Sequence, residues 1–242
     1  MEIFDGERLI RTLKFKTPEE NGIHKTTWNL DEKGVERASR TIRNSTREIA
    51  GVDVKPGVYK LKITFGELIS EQNIKVEFDP RLQISEEAIN QKYDASKIME
   101  SHQEKMAAIV KQLVESKNTA TTLKVKLEKE DAKKYKSEIT TSKEIIKKVD
   151  GLIAMYLGTI DKRQGITSNP EVTVNQRLGL ASRYIRSRFG EQTDTEKTLM
   201  NQFKETFKKT VSKTNSFFKE DWFAYMASIE KIEISPFKDF KN

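Results

Sequence analysis

The chain has 242 residues, 36% of them hydrophobic and 33% charged, with a mean hydropathy of -0.68 and a formal net charge of +7. It contains no cysteine, which excludes disulfides, zinc-thiolate sites and thiol nucleophiles. No run approaches the roughly 18 to 20 apolar residues that a membrane-spanning helix needs, and Met1-Glu2-Ile3-Phe4-Asp5 has neither the basic nor the apolar part of an export signal.

The first eighty residues carry a period of two. Glu2–Asp5 and Arg8–Phe15 flank Gly6 as a hairpin, and Ile23–Leu30, carrying Trp28, reads as a further strand. Residues 31–54 are polar without clean alternation and predict a long loop. From Val58 to Phe65 the alternation is strict, with Tyr59, Leu61, Ile63 and Phe65 on one face and Lys60, Lys62 and Thr64 on the other. Gly66-Glu67 then predicts a turn, after which Ile74, Val76 and Phe78 alternate with Lys75 and Glu77. Five short strands punctuated by Gly and Pro predict a small Greek-key or immunoglobulin-like β-sandwich over residues 1–82.

Beyond Asp79-Pro80-Arg81 the period changes to about 3.6. Ser85 followed by Glu86 and Glu87 predicts a capped helix start, with Ile89, Tyr93, Met99, Met106, Val110 and Leu113 as its apolar stripe. Residues 115–134, rich in Thr and Lys, either extend this helix or break it. A second helix carries Tyr135, Ile139, Ile146, Val149, Ile153 and Tyr156 and ends at Gly158. Pro170 precedes a third, which opens with Thr173 and Gln176 in capping-box spacing, shows Val174, Leu178, Ala181, Ile185 and Phe189, and closes at Gly190. Thr193 and Glu196 repeat the capping box for a fourth, with Leu199, Phe203, Phe207, Val211 and Phe218 on its stripe and a continuation through Trp222, Met226 and Ile229. Each stripe is one face wide, so residues 83–242 predict a four-helix bundle.

Signatures of chemistry are scarce. There is no GxGxxG, Walker loop, HExxH or GxSxG. The two histidines, His24 and His102, fall in different predicted domains, and Glu100 and Glu104 lie two residues from His102, where helical residues do not share a face. Glu19-Glu20, Asp31-Glu32 and Glu128-Glu130-Asp131 are the candidate acid pairs for glycoside hydrolysis, each read as a solvated surface. Asp31-Glu32-Lys33-Gly34 lacks the alternating donors of a calcium loop. Phe217, Phe218, Trp222, Phe223 and Tyr225 are dense near the C-terminus, at the spacing of a core stripe. The positive excess falls after residue 84, among interspersed acids. An Arg177, Arg183, Arg186 and Arg188 patch with Lys204 and Lys208 would favour nucleic acid, but the mixed signs argue for solvated helix faces. No catalytic, cofactor-binding or metal-ligating residue is therefore expected, and no cofactor.

One ordered series carries a resemblance. It runs through Ile3-Phe4-Asp5-Gly6, Leu9-Ile10-Arg11-Thr12-Leu13, Asn21-Gly22-Ile23-His24-Lys25-Thr26-Thr27-Trp28-Asn29-Leu30 and Lys55-Pro56-Gly57-Val58-Tyr59-Lys60-Leu61. The series resembles the immunoglobulin-like domain of the flagellar hook-capping type. With Asp79-Pro80-Arg81 and the following helices, the whole chain resembles the C-terminal region of secreted bacterial proteins with sortilin-like or BNR-repeat β-propellers, often labelled glycosyl hydrolases. The resemblance implies an accessory, non-catalytic part of a larger secreted, periplasmic or cell-surface protein. That part would lack the sandwich's first strand, with the upstream propeller of the same parent chain as its partner and protein or carbohydrate as a further one. A carbohydrate-binding module acting through the sandwich is the alternative, and it needs exposed aromatics such as Trp28. Nucleic acid and a membrane span are not expected.

Overall fold

The structure is a computed structural model and describes residues 1–42, 48–160 and 171–232. It is a mixed architecture: a small antiparallel sheet region followed by four helices. A four-stranded sheet has the order β2-β1-β5-β6, from β1 (Glu2–Asp5), β2 (Arg8–Thr12), β5 (Gly57–Phe65) and β6 (Leu68–Val76). A separate two-stranded sheet pairs β3 (Asp31–Lys33) with β4 (Ala50–Asp53). Every pairing is antiparallel.

Both expected hairpins form, and for the same reason. Asp5 pairs with Arg8 and Phe65 with Leu68, leaving two-residue loops whose first residues, Gly6 and Gly66, have φ of 60° and 58°. A positive φ at that position suits a tight turn matched to the right-handed twist of the strands, and glycine takes it without steric cost. Tyr59, Ile3 and Ile10 form the buried centre, with Trp28, Leu61, Ile74 and Val76 packed around it. The alternating face of β5 is buried only at its start. Ile63 and Phe65 are 46% and 57% exposed, because β1 pairs with β5 only from Tyr59 to Lys62.

Two expectations fail in the sheet region. Ile23–Leu30 is not a strand: residues 21–27 are all exposed, and only Trp28 is half-buried. Leu30 then adopts φ 58°, a left-handed backbone just before β3. The polar stretch 31–54 is in turn not a plain loop, since it supplies β3 and β4. Their backbones approach closely enough that a Cβ on Gly51 would lie 2.7 Å from the Gly34 nitrogen and 2.8 Å from the Glu32 carbonyl oxygen.

The helices begin where the caps predict. In α1 (Glu86–Asp131) the Ala88 N–H donates to Ser85 Oγ at 3.1 Å. The helix runs through the undecided segment to Asp131, and buries Met99, Met106, Leu113, Ala120 and Leu127 at intervals of seven. A seven-residue repeat keeps one stripe facing a neighbour along a long helix. The next helix, α2 (Lys136–Leu157), ends at Gly158 with φ 84°. Its buried line passes through Ser142 and Ile145, and Ile146, expected there, is only half-buried.

Both capping boxes are closed. At α3 (Val174–Arg186) Thr173 N–H donates to Gln176 Oε1 and Gln176 N–H to Thr173 Oγ1, each at 3.1 Å. At α4 (Asp194–Phe217) Thr193 N–H donates to Glu196 Oε2 at 3.0 Å and Glu196 N–H to Thr193 Oγ1 at 3.3 Å. Val174, Leu178, Ala181 and Ile185 are buried, but Phe189, beyond the end of α3, is 55% exposed. Pro170 lies outside the described residues. Beyond the capping Glu196, the buried residues of α4 are Met200, Phe203, Phe207, Thr210, Thr214 and Phe217, so the stripe passes through two threonines where Val211 was expected. A π-helical turn, Phe218–Trp222, continues α4 into α5 (Phe223–Ile229).

Two compact units divide the chain, and the division does not follow the change of period near residue 82. One comprises residues 1–38, 42–108 and 177–201: both sheets, the first half of α1, most of α3 and the start of α4. The other comprises residues 39–41, 109–176 and 202–242. Within the second, α2 meets α4 through Tyr156 and Thr214 hydroxyls at 3.0 Å and α5 through Ser142 and Tyr225 hydroxyls at 3.0 Å. Phe203, fully buried, and Phe223, 68% exposed, test this assignment of faces. Phe203→Ala is expected to lower the unfolding free energy by about 3–5 kcal/mol, and Phe223→Ala by no more than about 0.5 kcal/mol, in urea titrations.

Candidate functional site

The densest constellation of charged side chains among the described residues lies in the first unit and centres on Glu32. β3 presents this carboxylate, whose side chain is 6% exposed. From β2, Arg8 reaches it with both terminal guanidinium nitrogens, Nη2 to Oε1 at 3.0 Å and Nη1 to Oε2 at 3.3 Å. From α1, the Tyr93 hydroxyl donates to Oε1 at 2.5 Å and the Lys97 ammonium to Oε2 at 3.2 Å. Tyr93 and Lys97 are four residues apart and so share a helix face. Lys97 also pairs with Glu100, and Arg8 with Asp5 at 3.0 Å.

The neighbouring Asp31 is equally committed. Its carboxylate lies 3.5 Å from the Arg11 guanidinium, and both side chains are 7% exposed. Arg11 also donates to the carbonyl oxygens of Glu32 and Ile49, joining β2 to β3 and to the residue that precedes β4. Beside them the Thr12 N–H donates to Glu48 at 2.8 Å.

Burial opposes the Glu32 charge, but the hydrogen bonds from Arg8 and Tyr93 and the nearby Lys97 ammonium outweigh it. The carboxyl is therefore held below its ordinary value of 4.5. Burial and the Glu32 carboxylate both push the Tyr93 hydroxyl up. Lys97 is desolvated, which works against its charge, yet Glu100 and Glu32 raise it overall. Burial also pushes Tyr59, whose hydroxyl donates to the Lys55 carbonyl oxygen at 2.6 Å, up to about 12. These shifts lock every group in its ordinary charge state. A general acid or base needs a value near the working pH and an open hydrogen-bonding position, whereas here four donor contacts occupy both oxygens of Glu32. What the arrangement does chemically is to clamp β2, β3 and α1 to one another.

The expectation that Asp31-Glu32 is a solvated loop pair is thus overturned, because both carboxylates are buried against arginines. No sequence period signals it. The trace is only that two arginines, Arg8 and Arg11, sit in a strand otherwise shaped for a core. Glu19 and Glu20 are exposed, as expected, and Glu128 stays on the surface, 3.8 Å from Lys124 and 3.9 Å from Lys143. His24 is exposed and not on a strand, with Nε2 2.8 Å from the Glu20 carbonyl oxygen, while His102 is half-buried on α1. Among the described residues no group of three or more His, Asp or Glu side chains could hold a metal ion.

A second feature lies in the other unit. An open groove of about 520 Å³ between α2 and α4 is lined by Leu152, Met155 and Phe217, with Lys148 and Asp221 paired at 2.6 Å among its lining residues. Gly151 lines it with no atom within 4 Å of where its Cβ would be. Among the described residues no helix is long and apolar enough to cross a membrane. No protein-family model, no curated protein and no solved structure matches the chain.

Because the folded Glu32 carboxyl lies below its ordinary value, the stabilisation it gives is complete above pH 4.5 and is lost as pH falls through the lower folded value. Glu32→Gln is expected to lower the unfolding free energy by about 3 kcal/mol at pH 7, since it leaves charged partners uncompensated. That deficit should shrink in acid. Equal stability at neutral pH, or a deficit that does not change between pH 7 and pH 3, would show that the clamp carries no charge-dependent load.

Proposed function

We propose that the chain is a non-catalytic accessory region of a larger secreted bacterial protein of the sortilin-like or BNR-repeat propeller kind, the kind often labelled glycosyl hydrolases, and that it supports domain packing or protein contacts. In this reading the two sheets form an immunoglobulin-like sandwich and the helices close into a four-helix bundle. The supporting observation is the environment of the residues that carry the resemblance. Trp28 and Tyr59 meet edge to face at 5.6 Å between ring centroids, over a centre made by Ile3 and Ile10. The Trp28 Nε1–H donates to the Asp31 carbonyl oxygen at 2.8 Å. Residues quoted for their order in the sequence thus converge on one small core, as members of a folding signature do.

The same geometry weighs against carbohydrate binding through Trp28, whose ring packs on Tyr59 and whose N–H is already engaged inside the protein. Sugar stacking needs an open aromatic face. A hydrolytic role within this chain finds little support in Asp31 and Glu32, which are neutralised by arginines rather than facing each other across a cleft.

The test is an immunoblot of the source cells with an antibody raised against the chain. A polypeptide several times heavier than 27.9 kDa in the exported fraction is the expected result. A 27.9 kDa species retained in the cytosol would sink the proposal.

A further inference from the structure

Strand β6 is an edge strand nine residues long, and residues 68–73 are all exposed. Its hydrogen-bonding directions follow from the hairpin. A two-residue loop makes Phe65 and Leu68 a hydrogen-bonded pair, so alternation directs the backbone groups of Leu68, Ser70, Gln72, Ile74 and Val76 toward β5. The N–H and C=O groups of Ile69, Glu71, Asn73 and Lys75 then point outward, to the open edge. Native sheets blunt such edges with proline, bulges, short strands or charged side chains. β6 has no proline and pairs with β5 in unbroken register over its whole length. Its outer end is apolar as well: Leu68 is 73% and Ile69 61% exposed, beside Phe65 at 57%.

We propose that β6 pairs antiparallel with β6 of a second copy of the chain, joining two four-stranded sheets into one across a twofold axis at Asn73. The charges on the strand select this occupant and this register. Glu71 and Lys75 lie on the same face of β6, four residues apart, with Asn73 midway between them. An antiparallel pairing centred on Asn73 sets Glu71 opposite Lys75 of the second copy, and by symmetry does so twice. The outward-pointing residues then meet one another, as a hydrogen-bonded ladder requires. Centring on Glu71 or on Lys75 would instead oppose like charges, and a shift of one residue would bring a core-face residue of one copy against a surface residue of the other. In the single chain these two charges have only weak or local partners. Glu71 lies 3.9 Å from Lys60, and Lys75 pairs with Glu77 two residues away, both at exposed positions. The pairing does not depend on the proposed accessory role.

The experiment uses the full chain, whose lack of cysteine makes an introduced one unique. Sedimentation equilibrium is expected to show a species of twice 27.9 kDa. Glu71→Lys and Lys75→Glu, each of which opposes like charges twice, are expected to weaken dimerisation at least tenfold, and the double exchange E71K/K75E to restore it. Asn73→Cys is expected to yield a disulfide-linked dimer under mild oxidation, because directly opposed strand residues lie within bridging distance. Far-UV circular dichroism of each variant confirms that the chain is still folded. A monomer at every accessible concentration overturns the proposal. So does a dimer indifferent to both single charge reversals, or one that E71K/K75E fails to restore.

Discussion

The small sheet of β3 and β4 depends on a buried charge rather than on apolar area. Seven residues make up its two strands, and among them only Ala50 and Val52 are apolar beyond glycine. Such a sheet cannot hold itself by hydrophobic burial, which needs several fully covered side chains. Glu32 provides the attachment instead, by drawing Arg8 from one side and Tyr93 and Lys97 from the other. Buried ion pairs recover little net energy once desolvation is counted, but they tolerate few alternative partners. The clamp thus contributes more to which elements meet than to how strongly the chain folds. Close backbone approach at Gly34 and Gly51 reinforces this, since a larger residue at either would push the two strands apart.

Polar groups set register in the helices too. Thr210 and Thr214 occupy core positions of α4 and satisfy their hydroxyls by donating to carbonyl oxygens four residues back, at 2.9 and 3.0 Å. Thr214 is then placed to meet the Tyr156 hydroxyl inside the protein. The π-helical turn at Phe218–Trp222 adds one residue to the cycle. Seven residues after Phe217, the unbroken repeat would turn Ala224 inward; with the extra residue it is Tyr225, 2% exposed, that faces the core and meets Ser142. A one-residue insertion in phase therefore makes Tyr225, rather than Ala224, the residue that the second unit buries.

What was legible in the sequence is what depends on neighbours a few positions away. The glycine-led hairpins, the Ser85 cap, both capping boxes and the Gly158 helix end are fixed by contacts within four residues, and each is present. The misreadings share a different cause. Asp31 and Glu32 look like a solvated pair because their partners are distant in sequence: Arg8 and Arg11 precede them by about twenty residues, and Lys97 follows Glu32 by sixty-five. Ile23–Leu30 reads as a strand carrying Trp28, yet its residue types show only that the segment could pair. Val211 falls on the expected stripe four residues after Phe207, whereas the seven-residue repeat of the helix, set by its packing, buries Thr210.

The two charged devices of the first unit differ in what they can recognise. Around Glu32 the charges are paired within the chain, and both carboxylate oxygens are filled, so the carboxylate has no open acceptor position to offer a second molecule. Along β6 the charges lie on an open edge, with one strand's hydrogen-bonding groups directed away from the sheet. Saturated charges buried in a fold specify its internal geometry, whereas complementary charges spaced about a midpoint on an edge specify a partner of the same spacing. An edge strand offers main-chain hydrogen bonds to any extended segment, so side chains must supply the choice among partners. For β6 that choice resides in the opposite signs at Glu71 and Lys75, because only a segment of reversed charge order, as the same strand is when read antiparallel, meets both without repulsion.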